Sequence, residues 1–310
     1  MIKFAFVFPG QGSQAIGMLN AFADNAAVRE TVAEASAALQ FDLGALIATG
    51  PKEALDLTTN TQPVMLTAAV AFYRAWIVAG GAVPALVAGH SLGEYSALVA
   101  AGVISFADAV PLVRFRAQAM QEAVPVGAGG MAAILGLADE DVRAVCREAA
   151  QGEVVEAVNY NAPLQVVIAG ARDAVDRACE LAKARGAKRA LFLSVSAPFH
   201  STLLQPASLR LSEYLAPLNF NAPSIDLINN VDVAIVRDVE GIKDALVRQA
   251  ASPVRWVETV QAIARDGVTH LVECGPGKVL TGLTKRIDPA LTGEAIIDPA
   301  SLEKILELLK

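Results

Sequence analysis

The spacing of apolar and polar residues predicts a mixed α/β chain. Short apolar runs that end in glycine- or proline-rich sequence are typical of buried strands, and longer stretches with apolar residues every three or four positions predict helices. Strands are predicted over 3–8, 82–88, 225–229 and 269–273. Helices are predicted over about 16–40, 51–57 and 63–79, from 105 to about 124, and over 254–266.

A second, smaller unit is predicted in the middle of the chain. Residues 125–130, with one proline and three glycines, mark its start. The elements that follow have the order β-α-β-β-α-β of a ferredoxin-like unit, with a turn at 161–163. They are strands over 131–137, 154–159, 165–169 and 189–195, and helices over 139–150 and 171–185. We interpret residues 127–196 as an insertion into a larger subdomain formed by 1–126 and 197–310.

Composition excludes several classes of protein. A hydrophobic content of 54% suffices for a large core, and no apolar run approaches the roughly 18 residues of a membrane-spanning helix. The net charge of −7 argues against a broad nucleic-acid-binding surface. Three scattered cysteines and three separated histidines indicate neither a disulfide framework nor a metal site. We therefore expect a cytoplasmic protein without a metal, a membrane anchor or nucleic acid.

The segment Gly89–Gly93 matches the Gly-x-Ser-x-Gly nucleophile elbow. An apolar run precedes it and a helix-compatible run follows, which is the strand–turn–helix context that this motif needs. Glycine at both flanks removes Cβ atoms that would clash in the tight turn. The elbow predicts that Ser91 is a nucleophile exposed at a helix N-terminus, where backbone N–H groups favour developing negative charge.

A serine nucleophile needs a base, and the chain offers three histidines. His90 adjoins the serine and is expected to point away from its hydroxyl. His270 lies in a predicted strand, where a core or strand-end role is expected. His200 lies in the loop Ser196–Ser201, and catalytic residues concentrate on such loops, so we predict that His200 is the base.

No carboxylate is an obvious third member of a catalytic triad. Asp139, Glu140 and Asp173 lie in the predicted insertion, mostly at helix starts, where they are expected to act as caps. The group that orients His200 is therefore a backbone carbonyl or an amide, and this weakens the interpretation as a plain serine esterase.

Arg116 lies in the middle of an apolar helical stripe. The helix begins at a capping-box sequence, Ser105–Asp108, and Pro111 is expected to kink or restart it. A guanidinium on the buried face needs an anion. Two explanations stay open: an internal Asp or Glu pairs with Arg116, or Arg116 binds the carboxylate of an acyl substrate through two hydrogen bonds.

Five segments together resemble the malonyl-CoA:acyl carrier protein transacylases, and they span nearly the whole chain in order. They are Phe8–Gln14, Gly89–Leu98, Arg116 with Met120–Ala123, Ser196–Ser201 and Glu273–Gly277. The resemblance implies an α/β-hydrolase-like large subdomain with an inserted ferredoxin-like small subdomain, in agreement with the hydrophobic pattern.

The resemblance also implies roles for individual residues. Ser91 and His200 form a catalytic pair, and the backbone carbonyl of Gln249 orients the histidine. The backbone N–H groups of Gln11 and Leu92 form the oxyanion hole. Arg116 binds the malonyl carboxylate, and Phe199 before His200 matches the malonyl-type pattern rather than the methylmalonyl type.

The implied activity is transfer of malonyl from malonyl-CoA to the phosphopantetheine thiol of acyl carrier protein in fatty acid biosynthesis, without a cofactor and by a protein expected to be monomeric. A polyketide acyltransferase, an acyltransferase with different acyl choice, a serine esterase and a non-catalytic acyl-binding module are the alternatives. Two basic groups are candidates for docking the acidic carrier protein, or else are ordinary solvated charges. They are Lys183, Arg185, Lys188 and Arg189 in the insertion, and Lys278, Lys285 and Arg286 near the C-terminus.

Overall fold

The computed structural model describes residues 2–195 and 197–310. Ser196, part of the predicted histidine loop and the last residue of the predicted insertion, lies outside the described residues. The strands are β1 (Phe4–Phe8), β2 (Leu86–Gly89), β3 (Gly129–Leu135), β4 (Val155–Ala162), β5 (Gln165–Ala171), β6 (Arg189–Phe192), β7 (Asp226–Ile228), β8 (His270–Cys274) and β9 (Thr292–Ile296). The α-helices are α1 (Ala26–Leu39), α2 (Leu43–Thr49), α3 (Lys52–Leu55), α4 (Thr58–Val78), α5 (Gly93–Ala100), α6 (Phe106–Glu122), α7 (Asp139–Ala150), α8 (Arg172–Ala184), α9 (Gln205–Leu215), α10 (Val239–Gln249), α11 (Trp256–Arg265), α12 (Val279–Ile287) and α13 (Pro299–Leu308), and two short 3₁₀ helices span Asn20–Phe22 and Thr202–Leu204.

The larger sheet is parallel, with the strand order β7-β2-β1-β8-β9. Its central strand β1 is buried on both faces, which explains its uninterrupted apolar sequence. In the register of β1 and β2, Phe8 lies opposite Gly89, so both strands end at the same edge. Ligands bind at this carboxyl edge in open α/β sheets. The loops that follow β1 and β2 carry Gln11 and Ser91.

Alternate residues of β1 contribute to two separate cores. Phe4, Phe6 and Phe8 pack in a cluster that includes residues of α1, α4, α5 and α6. Ala5 and Val7 point to the opposite face and pack with residues of α11 and α12. The parallel sheet is therefore covered by helices on both sides, and its functional loops are held between two packed layers.

The smaller sheet is antiparallel, with the order β4-β5-β3-β6. Helices α7 and α8 pack on one face of it and form a third core. This is the ferredoxin-like arrangement, and the predicted fold class, an α/β-hydrolase-like body with an inserted ferredoxin-like unit, is confirmed. Backbone hydrogen bonds join the units, from Tyr160 N to Val254 O at 3.0 Å and from Val254 N to Val158 O at 2.8 Å. The boundaries at 126/127 and 196/197 stay a prediction.

Several predicted elements differ from the observed ones. The helix predicted from residue 16 begins at Ala26, because Gly17 N donates to Ile47 O at 2.7 Å and the Asn25 side chain caps the first turn of α1. Helix α6 continues through Pro111 instead of restarting there. Strand β4 extends to Ala162, so the turn follows at 163–164. Among the described residues, no helix combines the length and apolarity needed to cross a bilayer.

The connection from β2 to α5 predicts a sensitive glycine. A Cβ on Gly89 would lie 1.9 Å from the carbonyl carbon of Gly93, closer than packed atoms allow. We expect Gly89→Ala to lower the free energy of unfolding by about 2–3 kcal/mol, measured by urea denaturation followed by circular dichroism. Gly282→Ala on α12 is the control, because a Cβ at that position would meet no atom within 4 Å, and we expect a gain of about 0.5–1 kcal/mol. Equal stabilities of Gly89→Ala and the parent chain would contradict this packing.

Candidate active site

Ser91 lies in a tight turn between β2 and α5, with a left-handed backbone φ of 52°. Such a φ is unfavourable for a residue with a Cβ and persists only when the surroundings hold it. Asn230, which follows β7, stabilises this conformation through two side-chain hydrogen bonds. Its Oδ1 accepts from Ser91 N at 2.7 Å, and its Nδ2 donates to Gly89 O at 2.6 Å. Both sides of the turn are therefore fixed by one asparagine that the sequence patterns did not predict.

The imidazole of His200 lies between Ser91 and Gln249. Its Nε2 is 2.7 Å from Ser91 Oγ, and its Nδ1 is 2.9 Å from the backbone carbonyl oxygen of Gln249. Because a carbonyl only accepts, Nδ1 carries the proton and Nε2 is left to accept the serine hydroxyl. The geometry is that of a base with an orienting acceptor, and the acceptor is a backbone carbonyl.

The electrostatics of the site keep His200 neutral. His200 is 4% exposed, and burial, followed by the positive charge of Arg116, lowers its pKa to about 3. A neutral imidazole at pH 7 is the form that can accept a proton from the serine hydroxyl.

Arg116 is 2% exposed, and its guanidinium contacts oxygens of neutral groups. Nη1 donates to Gln62 Oε1 at 2.8 Å, and Nη2 donates to Gln249 Oε1 at 2.9 Å and to Ser91 Oγ at 3.2 Å. The ring of Tyr95 lies 5.3 Å from the guanidinium carbon. Within residues 2–195 and 197–310, Arg116 forms no ion pair, and its Nε has no acceptor. No Asp or Glu of the described chain therefore forms a direct ion pair with Arg116.

The predicted oxyanion residues border the same cleft, which has a volume of about 550 Å³. The backbone N–H groups of Gln11 and Leu92 donate to no acceptor among the described residues. The side chain of Gln11 is held in place, because its Oε1 accepts from Thr58 Oγ1 at 2.7 Å. Met131 and Asn161 of the smaller sheet also line the cleft, which therefore lies between the two sheets.

The side chain of Gln249 is a second element that the sequence did not indicate. While its backbone carbonyl faces His200, its Nε2 donates to Ser91 O at 3.0 Å and to Glu94 Oε2 at 2.9 Å. Glu94 is buried, and burial raises its pKa to about 7. The sequence did contain one signal for the role of Glu94, because it is a charged residue in an otherwise apolar helix start, three positions after the serine.

The other histidines are engaged elsewhere. His90 Nε2 lies 2.8 Å from Asn161 Oδ1, and its ring packs on Trp256 with centroids 5.5 Å apart. The ring of His270, at the start of β8, is hydrogen-bonded to Thr269. Neither ring contacts Ser91. In the part of the chain described, no group of three or more His, Cys, Asp and Glu residues could hold a metal ion.

Comparison with known proteins decides the family. The family model described as Acyl transferase domain matches residues 5–288. The malonyl CoA-acyl carrier protein transacylase of Escherichia coli (strain K12) is 57% identical over 312 residues, which cover 99% of this chain and 100% of that protein. The chain belongs to the malonyl-CoA:acyl carrier protein transacylase family. It is therefore an acyltransferase, and the resemblance carried by the sequence motifs is confirmed.

Solved members of the transacylase family share the whole fold. The acyl-carrier-protein S-malonyltransferase from Burkholderia pseudomallei 1710b is 70% identical, with a TM-score of 0.98 over 99% of this chain and 100% of that one. A malonyl-transacylase solved in complex with a type II PKS acyl carrier protein is 53% identical, with a TM-score of 0.98 over 99% of each chain.

In this transacylase-family chain, we expect the buried imidazoles to have pKa values below the ordinary value of histidine. The pKa of His200 is lowered to about 3, so its ring should stay neutral as the pH falls through 6.5, and burial also lowers the pKa of His90. NMR of the ring protons between pH 8 and 5 measures this, with the His200→Gln variant assigning the signals. A His200 signal that titrates near pH 6.5 would contradict the described electrostatics.

Proposed function

We propose that this acyltransferase moves a malonyl group from malonyl-CoA to the phosphopantetheine thiol of an acyl carrier protein through a malonyl-serine intermediate. Ser91 Oγ attacks the thioester carbonyl while His200 Nε2 takes the hydroxyl proton. The C–S bond of the tetrahedral intermediate then breaks, and His200 returns the proton to the departing thiolate of coenzyme A. The 2.7 Å hydrogen bond between Ser91 and His200 supports this pairing.

The second half-reaction uses the same groups in reverse. The carrier-protein thiol gives its proton to His200 Nε2, and its sulfur attacks the ester carbonyl of malonyl-Ser91. The C–O bond breaks, and Ser91 recovers the proton from His200. Ping-pong kinetics follow because coenzyme A leaves before the carrier protein reacts. In both halves the oxyanion is stabilised by the N–H groups of Gln11 and Leu92, and losing one such donor typically costs about 2.7–4 kcal/mol of barrier.

One observation carries the choice of acyl group, and it is the guanidinium of Arg116 beside the nucleophile. Its Nη2 lies 3.2 Å from Ser91 Oγ, and its hydrogen-bond acceptors are neutral oxygens. A carboxylate on the acyl chain would supply the missing anion through two charge-assisted hydrogen bonds. Malonyl meets this requirement, whereas acetyl does not.

Binding of that carboxylate would also adjust the base. The positive charge of Arg116 is one cause of the low pKa of His200. A malonyl carboxylate beside Arg116 offsets this charge, so the imidazole becomes more basic when the correct substrate is bound. The substrate therefore helps to prepare the base that its own reaction needs.

The alternatives differ in their acyl group or acceptor. A serine esterase has no use for a buried cation at the nucleophile, and this observation disfavours it. A polyketide-type carrier protein is the second candidate acceptor, because a 53% identical protein was solved with a type II PKS acyl carrier protein.

Two basic groups were predicted as candidate docking sites for the carrier protein. In the group that lies in the insertion, two of the charges are paired within the chain, Lys183 with Glu180 and Arg185 with Glu148.

The covalent intermediate is tested by intact-protein mass spectrometry after mixing with malonyl-CoA, acetyl-CoA and methylmalonyl-CoA separately. We expect a stable malonyl adduct that disappears when acyl carrier protein is added. Ser91→Ala should form no adduct, because the attacking oxygen is gone. An undiminished malonyl adduct on Ser91→Ala would remove Ser91 as the nucleophile.

Arg116→Ala tests the acyl selectivity. We expect kcat/KM for malonyl transfer to fall by about 10²–10⁴-fold through loss of two charge-assisted hydrogen bonds, while acetyl transfer survives or improves. Arg114→Ala, a half-buried arginine on the same helix that lies against Phe41, is the control and should retain malonyl transfer. Equal losses of malonyl and acetyl transfer in Arg116→Ala would mean that Arg116 is structural.

A further inference from the structure

Glu94 is a buried carboxylate in the first turn of α5, three residues after Ser91. It is 2% exposed, and within the described residues it forms no ion pair. Its Oε2 accepts from Gln249 Nε2 at 2.9 Å and from Asn230 N at 3.0 Å. A buried carboxylate without a cation in contact is costly, so its retention beside the nucleophile calls for a role.

The amide of Gln249 connects this carboxylate to Arg116. Its Nε2 donates to Glu94, and its Oε1 accepts from Arg116 Nη2 at 2.9 Å. An amide between an anion and a cation satisfies both in one orientation, since its nitrogen only donates and its oxygen only accepts. Glu94, together with the carbonyl oxygen of Ser91 that also accepts from Nε2, therefore turns the amide oxygen of Gln249 toward the guanidinium.

The second contact of Glu94 reaches the elbow. It holds the backbone N–H of Asn230, whose side chain accepts from Ser91 N and donates to Gly89 O. Through Gln249 and Asn230, the Glu94 carboxylate is thus linked by hydrogen bonds both to Arg116 and to the turn that carries the nucleophile.

We propose that Glu94 is a positioning residue and the resident counter-charge of Arg116, and that in the malonyl-enzyme the substrate carboxylate takes over this role while Glu94 takes up a proton from solvent. This inference rests on the proposed malonyl transfer. The added step is the protonation of one carboxylate oxygen, and no other bond changes. Acyl groups without a carboxylate bring no anion to Arg116, so Glu94 stays ionised as its counter-charge.

The charges around Glu94 support this exchange. Burial raises its pKa to about 7, and the charge of Arg116 from α6 acts to lower it. Asp232, beyond β7, acts to raise it, although Asp232 is itself paired with Arg248 of α10 at 2.7 Å. The nearby imidazoles of His90 and His200 have lowered pKa values and stay neutral near pH 7.

The sign of the effect follows from these charges. A substrate carboxylate that neutralises Arg116 removes an influence that lowers the pKa of Glu94, so this pKa rises when malonyl is bound. Near pH 7, where Glu94 is half ionised, acylation therefore takes up as much as about half a proton per site. By linkage, malonyl binding weakens as the pH rises and Glu94 ionises.

Glu94 competes with the malonyl carboxylate for the charge of Arg116, and this competition suits an enzyme that must release the malonyl group after binding it. If Arg116 held malonyl equally tightly in ground and transition states, the added affinity would lower KM without raising kcat. Glu94 returns to its ionised form when malonyl leaves, and this favours release to the acceptor.

The decisive experiment measures proton uptake with a pH-indicator dye in weak buffer when the protein is mixed with malonyl-CoA, normalised to the malonyl adduct found by mass spectrometry. We expect about half a proton per adduct at pH 7 and almost none at pH 5, where Glu94 is already protonated. Glu94→Gln keeps an oxygen for both hydrogen bonds but carries no charge, and it should abolish the uptake.

Three results would overturn the proposal. They are a full adduct without proton uptake in the parent chain, the same uptake at pH 5 as at pH 7, or undiminished uptake in Glu94→Gln. The first two need no variant, so they hold even if Glu94→Gln fails to fold. Absence of the malonyl adduct from the parent chain would instead refute the proposed function, and this inference with it.

Steady-state kinetics separate charge exchange from a purely structural role. We expect kcat/KM for malonyl-CoA to fall about fivefold between pH 6 and 8 in the parent chain and in the exposed control Glu303→Gln. In Glu94→Gln we expect kcat/KM to change much less between pH 6 and 8 than in the parent. A parent-like fivefold fall in Glu94→Gln, at uniformly lower activity, would show that Glu94 only maintains the structure.

Discussion

A buried guanidinium without a contacting carboxylate is the constraint on which the rest of the site depends. Arg116 lies in the interior, where an isolated charge is costly, and its hydrogen bonds go to the neutral oxygens of Gln62, Gln249 and Ser91. The neutral oxygens orient the cation without cancelling its charge. The same charge lowers the pKa of His200 and acts on the buried Glu94, so substrate selection, base strength and proton linkage all trace to one side chain.

The fold concentrates these groups by bringing distant parts of the chain to one edge of the parallel sheet. Strands β1 and β2 end side by side, so the loop with Gln11 faces the elbow with Ser91. Asn230, after β7, reaches from the next strand to clamp that turn. Gln249 ends α10 and contacts the histidine, the arginine and the serine backbone from one position. The smaller sheet closes the other side of the cleft.

Local patterns predicted much of this arrangement, and long-range contacts explain the rest. Short stretches of sequence suffice to predict the elbow, the order of the ferredoxin-like elements and the position of Arg116 on the buried face of its helix. Helix α1 begins ten residues later than predicted because a tertiary hydrogen bond holds Gly17 in a turn. The roles of Glu94 and Asn230 depend on neighbours more than 130 positions away, so periodicity could not reveal them. The C-terminal elements β9 and α13 were not predicted, although α13 has a local start signal in the Asp298 cap and Pro299 in its first turn.

The most direct test of the account is the structure of the malonyl-loaded protein. We expect the malonyl ester on Ser91 with its carboxylate hydrogen-bonded to both terminal nitrogens of Arg116, while Gln62 and Gln249 still flank the guanidinium. His200 should remain on the Gln249 carbonyl. A malonyl group whose carboxylate points into the open cleft, with Arg116 contacting only protein oxygens, would contradict the claim that this buried cation selects the substrate.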